Sequence, residues 1–195
     1  MNDISEKRGY ALTGEFARIS FRYDRLKDVK DGADRVREMR MQADQKQGIF
    51  GQMELLFRYE EGMFNEVQME EIKLLLVLVW WMYRGKLPEN NSQVSDELAS
   101  DMLERLKKKS LHAKSLKGDF SEPELVRYIE TYPAMGLYYF IMHKIFFEEY
   151  SILRTAKNSW KHFLLFGFEI LLDCFEEVIK TSNKQSKFTF WPFKL

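Results

Sequence analysis

Two segments of this chain are apolar on nearly every face of a helix, and they constrain the fold more than any other feature. They are residues 72–83 (IKLLLVLVWWMY) and residues 135–150 (MGLYYFIMHKIFFEEY). A helix that is hydrophobic all round must be enclosed by other helices, because none of its faces is suited to water. The two segments therefore predict the two central helices of a helical bundle.

The rest of the chain predicts a single all-α domain over residues 1–195. It has only four prolines and no alternating segments joined by Asn-Gly or Asp-Gly turns, which argues against a sheet. Apolar stripes with helical spacing, separated by loop signals, indicate an irregular bundle of about five to seven helices. Residues 1–11 are expected to be flexible, and residues 181–195 form a polar linker followed by an aromatic tail.

The first long helix is expected to begin near Thr13, a candidate N-cap. Its apolar stripe has spacings of three and four residues and consists of Phe16, Ile19, Tyr23 and Leu26. Such a narrow stripe typically packs against one or two neighbouring helices. This helix should therefore lie on the side of the bundle and bury one face.

The best candidate constellation for chemistry is His143 with His162 and Glu169. A last helix over about residues 157–180 follows its predecessor through a short connection, which favours an antiparallel hairpin. In a hairpin centred near residue 154, His162 and Glu169 lie about one turn to either side of His143, where a metal ion could be held. Bundle metal sites usually carry a Glu-x-x-His pair, which both histidines lack, so a hydrogen-bonded core histidine is the simpler interpretation. We expect no metal and no cofactor, and no catalytic residue can be assigned.

A basic run without acidic residues spans residues 105–117. Its cations are Arg105, Lys107, Lys108, Lys109, Lys114 and Lys117. Such a run could contact phosphates and make binding sensitive to salt. However, cations are favoured at helix C-termini for local reasons, and the aromatic residues needed for base stacking are missing nearby. Binding of nucleic acid is therefore the alternative and not the preferred interpretation.

The most unusual local feature is the aromatic tail after the polar linker. Its large apolar residues are Phe188, Phe190, Trp191 and Phe193. Leaving all of them in water would create an adhesive patch, so they should dock on a surface. Docking on the chain's own bundle is the simpler expectation, and capture by a protein partner or a sister subunit is the alternative.

Charge and cysteine content limit the environment and the partners. Lys plus Arg and Asp plus Glu are equal at 30 each, so the summed field attracts neither nucleic acid nor anionic lipid in general. The only cysteine, Cys174, excludes an internal disulfide, and we expect a cytoplasmic protein. The longest apolar run, residues 74–83, is about half the length needed to cross a bilayer, so no membrane association is expected.

Three classes of function remain open. The preferred class is a helical protein-interaction module that acts as a regulator, inhibitor or immunity-type protein by binding a protein partner or a second copy. A nucleic-acid-associated accessory subunit that uses residues 105–117 is the main alternative, and a metal-dependent enzyme is the third. The first class is preferred because the chain offers patterned helical surface and an aromatic tail.

Overall fold

A computed structural model describes residues 2–28, 63–83, 85–86 and 134–188, together with Asp34, Arg37, Asp101, Glu104, Arg105 and Lys108. The four long helices of this part are α1 (Asn2–Lys27), α2 (Glu66–Tyr83), α3 (Met135–Phe146) and α4 (Asn158–Phe188). A short 3-10 helix, Ile152–Thr155, lies in the connection between α3 and α4. The described residues include no strand, so the predicted all-helical class is confirmed for them.

Three helix boundaries differ from the sequence-based expectation. α1 begins at Asn2 and not near Thr13, because a threonine within a helix costs only a few tenths of a kcal/mol and does not enforce a cap. α3 ends at Phe146, because the backbone N–H of Glu148 bonds to the carbonyl of His143, which already accepts from Phe147, and the four-residue pattern stops there. α4 continues through the polar residues 181–187 to Phe188, since this stretch contains neither glycine nor proline.

The predicted stripe of α1 faces the core. Ile19, Tyr23 and Leu26 are fully buried, and Phe16 is partly buried against the same cluster. The rings of Tyr23 and Phe140 lie 5.4 Å apart, so the stripe packs mainly on α3. None of the described helices combines the length and the apolar character that a membrane span requires.

Contacts between side chains fix the relative directions of the helices. Phe16 packs on Phe140 and Tyr23 lies under the Lys144 ammonium, so α1 and α3 advance in the same direction. Phe64, just before α2, meets Trp160, and Tyr83 at the end of α2 stacks on Phe175, so α2 and α4 also run parallel.

The hairpin register of α3 and α4 agrees with the sequence. The rings of Phe146 and His162 are 5.2 Å apart, which centres the hairpin at residue 154. α3 and α4 are therefore antiparallel, and the four helices alternate in direction along the chain. One end of the bundle, called the corner end, contains Tyr23, Glu71, Lys144 and Ile152. The opposite end contains Tyr83 and Glu176.

Candidate functional site

The corner end is organised around Glu71, a buried carboxylate on α2. Its Oε1 accepts a hydrogen bond from the Tyr23 hydroxyl at 3.1 Å, and its Oε2 accepts one from the backbone N–H of Ile152 at 3.0 Å. A carboxylate away from water is tolerated only when donors of this kind satisfy it. Glu71 therefore links α1 and α2 to the connection between α3 and α4.

Gln68, one turn before Glu71, fixes the same connection at a second point. Its side-chain amide donates to the Thr155 hydroxyl at 3.0 Å. At the start of α2, the Gln68 side-chain oxygen accepts from the backbone N–H of Asn65, and the Asn65 side chain accepts from the backbone N–H of Gln68. This reciprocal arrangement is a capping box, which orients Gln68 toward Thr155. Two side chains of α2 thus hold the 3-10 helix.

Lys144 of α3 is a buried cation at the corner end. Its ammonium group pairs with Glu148 and lies 4.5 Å from the centre of the Tyr23 ring and 5.5 Å from that of Phe140. Both the ion pair and the ring faces stabilise a cation that has left water. Burial, followed by the charge of Glu71, raises the pKa of Tyr23 far above its usual range, so its hydroxyl remains a donor.

This ordered network supports apolar side chains that face water. The large hydrophobic side chains exposed by the described residues are Phe21 (65%), Val67 (62%), Phe147 (37%) and Tyr150 (91%). Phe147 and Tyr150 lie in the connection held by α2, Val67 is next to Gln68, and Phe21 is two residues before Tyr23. Phe147, Tyr150 and Val67 therefore lie at the corner end, whereas Arg22, next to Phe21, contacts Trp81 and Met82 toward the opposite end. A rigid backbone that presents exposed aromatic rings is suited to contacting another macromolecule.

The candidate metal ligands His143, His162 and Glu169 are not assembled as one site. The His143 ring packs on Phe16 of α1 at 5.4 Å, whereas His162 hydrogen bonds through Nδ1 to the carbonyl of Asn158 on its own helix at 2.8 Å. Glu169 is buried farther along α4. Within the described ranges, no three His, Cys, Asp or Glu side chains form a group that could hold a metal ion. His143 is also half-exposed, which differs from the core histidine expected.

The described part of the basic run shows local ion pairs. Arg105 pairs with Asp101 and Lys108 pairs with Glu104, both at 2.7 Å and both four residues apart in sequence. The pairing with these carboxylates raises the pKa of both cations. The remaining candidates lie outside the described residues: Lys107, Lys109, Lys114 and Lys117. Phe188 is the last residue of α4, and Phe190, Trp191 and Phe193 lie outside as well.

Replacing Lys108 with alanine should leave the free energy of unfolding nearly unchanged. Its pair with Glu104 is exposed and lies on one helix, where such pairs contribute little. A urea titration of both proteins checks this expectation. A clearly lower urea midpoint for Lys108→Ala would mean that the basic run is structural.

Cys174 is a buried thiol near the middle of α4. Burial, opposed by the charge of Arg105, raises its pKa from 9.0 to about 12. In the unfolded chain the thiol ionises first, so its contribution to stability is complete below about pH 9 and is lost between pH 9 and about 12. We expect a thiol reagent at pH 8 to modify the native protein far more slowly than the denatured one. Equal rates in the two states would show that Cys174 is accessible.

Sequence reasoning missed Glu71 and Lys144, although a signal for Glu71 was present. Glu71 precedes Leu75 and Leu78 by four and seven residues, so it lies on the face of α2 that these buried leucines occupy. Its neighbour Glu70 faces solvent.

Comparison of the chain with known protein families, with curated proteins and with solved structures finds no match.

Proposed function

We propose that this protein is a helical protein-interaction module, a regulator, inhibitor or immunity-type protein, whose partner binds at the corner end. The observation that carries the proposal is the exposure of Tyr150 and Phe147 on a connection that Glu71 and Gln68 hold in place. Aromatic residues are enriched among the side chains that dominate binding energy, and a preordered backbone reduces the entropy lost on association.

The rest of the bundle serves as a scaffold for this surface. We propose five to seven helices in all, with α2 and α3 at the centre. Helical conformation at Asp34 and Arg37, and again at Asp101, Glu104, Arg105 and Lys108, supports helices beyond the four long ones. The complete burial of Val79 and Ile141 supports the placement of α2 and α3.

The test compares Tyr150→Ser with the wild-type protein and with Lys108→Ala as a matched surface control. Tyr150 is almost fully exposed, so its replacement should leave the melting temperature nearly unchanged. Each protein is used as bait in an extract of the organism that makes it, and captured proteins are then purified and titrated directly. We expect a partner that binds wild type and Lys108→Ala equally and Tyr150→Ser at least tenfold more weakly, a loss of about 1.4 kcal/mol.

Two results would contradict the proposal. One is a specific partner that binds Tyr150→Ser as tightly as the wild-type protein. The other is binding of random-sequence oligonucleotides that weakens steeply with salt and is reduced in Lys108→Ala, which would favour the nucleic-acid-associated alternative.

A further inference from the structure

We propose that the corner end of one copy binds the aromatic tail, residues 188–193, of a second copy. The inference rests on the proposed function and deepens it, because it identifies the partner as the same chain. The sequence alone made docking on the chain's own bundle the simpler expectation for the tail. The direction and length of α4 mean that only the tail of a sister subunit can occupy the corner end.

The tail cannot reach the corner end of its own copy. α4 leaves that end at its first turns, where His162 packs on Phe146, and runs without a break to Phe188. Phe188 is 26 positions after His162, so this part of the helix spans about 39 Å at a rise of 1.5 Å per residue. Phe193 lies five residues beyond Phe188, and an extended chain of that length covers at most about 18 Å. A tail that binds the corner end must therefore come from another molecule.

The two surfaces match in chemistry. At the corner end, Phe147 and Tyr150 flank two acidic residues, of which Glu149 is exposed. In the tail, four aromatic residues are flanked by Lys187 and Lys194, and residues 187–195 contain no acidic side chain. Apolar rings can thus form the centre of the contact while opposite charges meet at its rim. The equal numbers of cations and anions in the chain leave no net repulsion between copies.

A contact between two different surfaces has a consequence for the assembly. Each copy carries one corner end and one tail, at opposite ends of α4, so the contact is heterologous. Such contacts can continue from molecule to molecule and do not stop at a dimer unless a ring closes. Self-association should therefore increase progressively with protein concentration.

The experiment uses two full-length variants, each lacking one of the surfaces. The tail variant carries Trp191→Ser and Phe193→Ser, and the corner variant carries Tyr150→Ser and Glu149→Lys. Sedimentation velocity over a wide concentration range should show that the wild-type protein and the Lys108→Ala control form species larger than dimers as the concentration rises. Each variant alone should associate at least tenfold more weakly. An equimolar mixture should form a complex of two chains and nothing larger, because only one productive contact remains.

Thermal melts of both variants accompany these runs, so that misfolding is recognised. A mixture that stays monomeric while both variants melt like wild type would overturn the inference. A monomeric wild type together with a clearly lower melting temperature of the tail variant would overturn it too, since the tail then covers its own bundle. A third result is possible: the mixture does not associate, but the corner variant no longer binds a purified partner that is a different protein. In that case the inference fails and the proposed function stands. If the corner variant binds and assembles like wild type, both fail.

Discussion

Replacing Val79 with aspartate should unfold the protein or lower its free energy of unfolding by at least about 4 kcal/mol. Val79 is fully buried on α2, and an aspartate there would place a carboxylate in the core without a donor arranged to receive it. The free energy of unfolding of such domains is only about 5–15 kcal/mol, so a loss of this size removes a large fraction of it. Circular dichroism during a urea titration measures the change.

The matched control is Val67→Asp on the same helix. Val67 is exposed in the first turn of α2, where an acidic side chain is favoured by the helix dipole, so this variant should be as stable as wild type or slightly more stable. Equal effects at the two valines would contradict the orientation of α2. A soluble Val79→Asp protein that unfolds cooperatively near the wild-type midpoint would contradict its burial.

Replacing Glu71 with alanine should lower the free energy of unfolding by about 3–5 kcal/mol. The substitution removes the carboxylate that accepts two hydrogen bonds. The Tyr23 hydroxyl and the Ile152 N–H then lose their acceptor in a largely buried environment. Glu70→Ala is the control, because Glu70 is exposed and pairs only locally with Lys73; it should change stability by less than about 0.5 kcal/mol. Urea titrations of the three proteins give the difference.

A double-mutant cycle shows whether the loss arises from the proposed contact. In a Tyr23→Phe background one of the two donors is already gone, so Glu71→Ala should cost about 1 kcal/mol less than it does alone. The same cost in both backgrounds would mean that Tyr23 and Glu71 do not interact. A Glu71→Ala protein as stable as Glu70→Ala would show that the carboxylate is not buried.

The sequence predicts the parts of the fold that depend on strong periodicity. The stripe through Ile19, Tyr23 and Leu26 faces the core as expected, because three- and four-residue spacing leaves one face of a helix to bury. The hairpin register at Phe146 and His162 also follows from the sequence, since a short connection between two apolar helices leaves little freedom for sliding.

The corner end was not predictable in the same way. Whether residues 147–150 continue α3 depends on the hydrogen bonds that Glu71 and Gln68 offer to the 3-10 helix, and these come from residues about 80 positions earlier in the chain. Local propensity contains no information about partners so distant in sequence. Tyr150, which the sequence places at the end of the second central helix, lies instead in this connection as an almost fully exposed ring.

The central claim is that buried hydrogen bonds hold the connection carrying Phe147 and Tyr150 in one conformation. Amide hydrogen exchange at Ile152 tests it most directly, because this N–H donates to the Glu71 carboxylate. We predict that the Ile152 amide in the wild-type protein exchanges as slowly as amides within α2 and α3, and that it exchanges rapidly in Glu71→Ala. Rapid exchange of this amide in the wild-type protein, with α2 and α3 still protected, would contradict the claim.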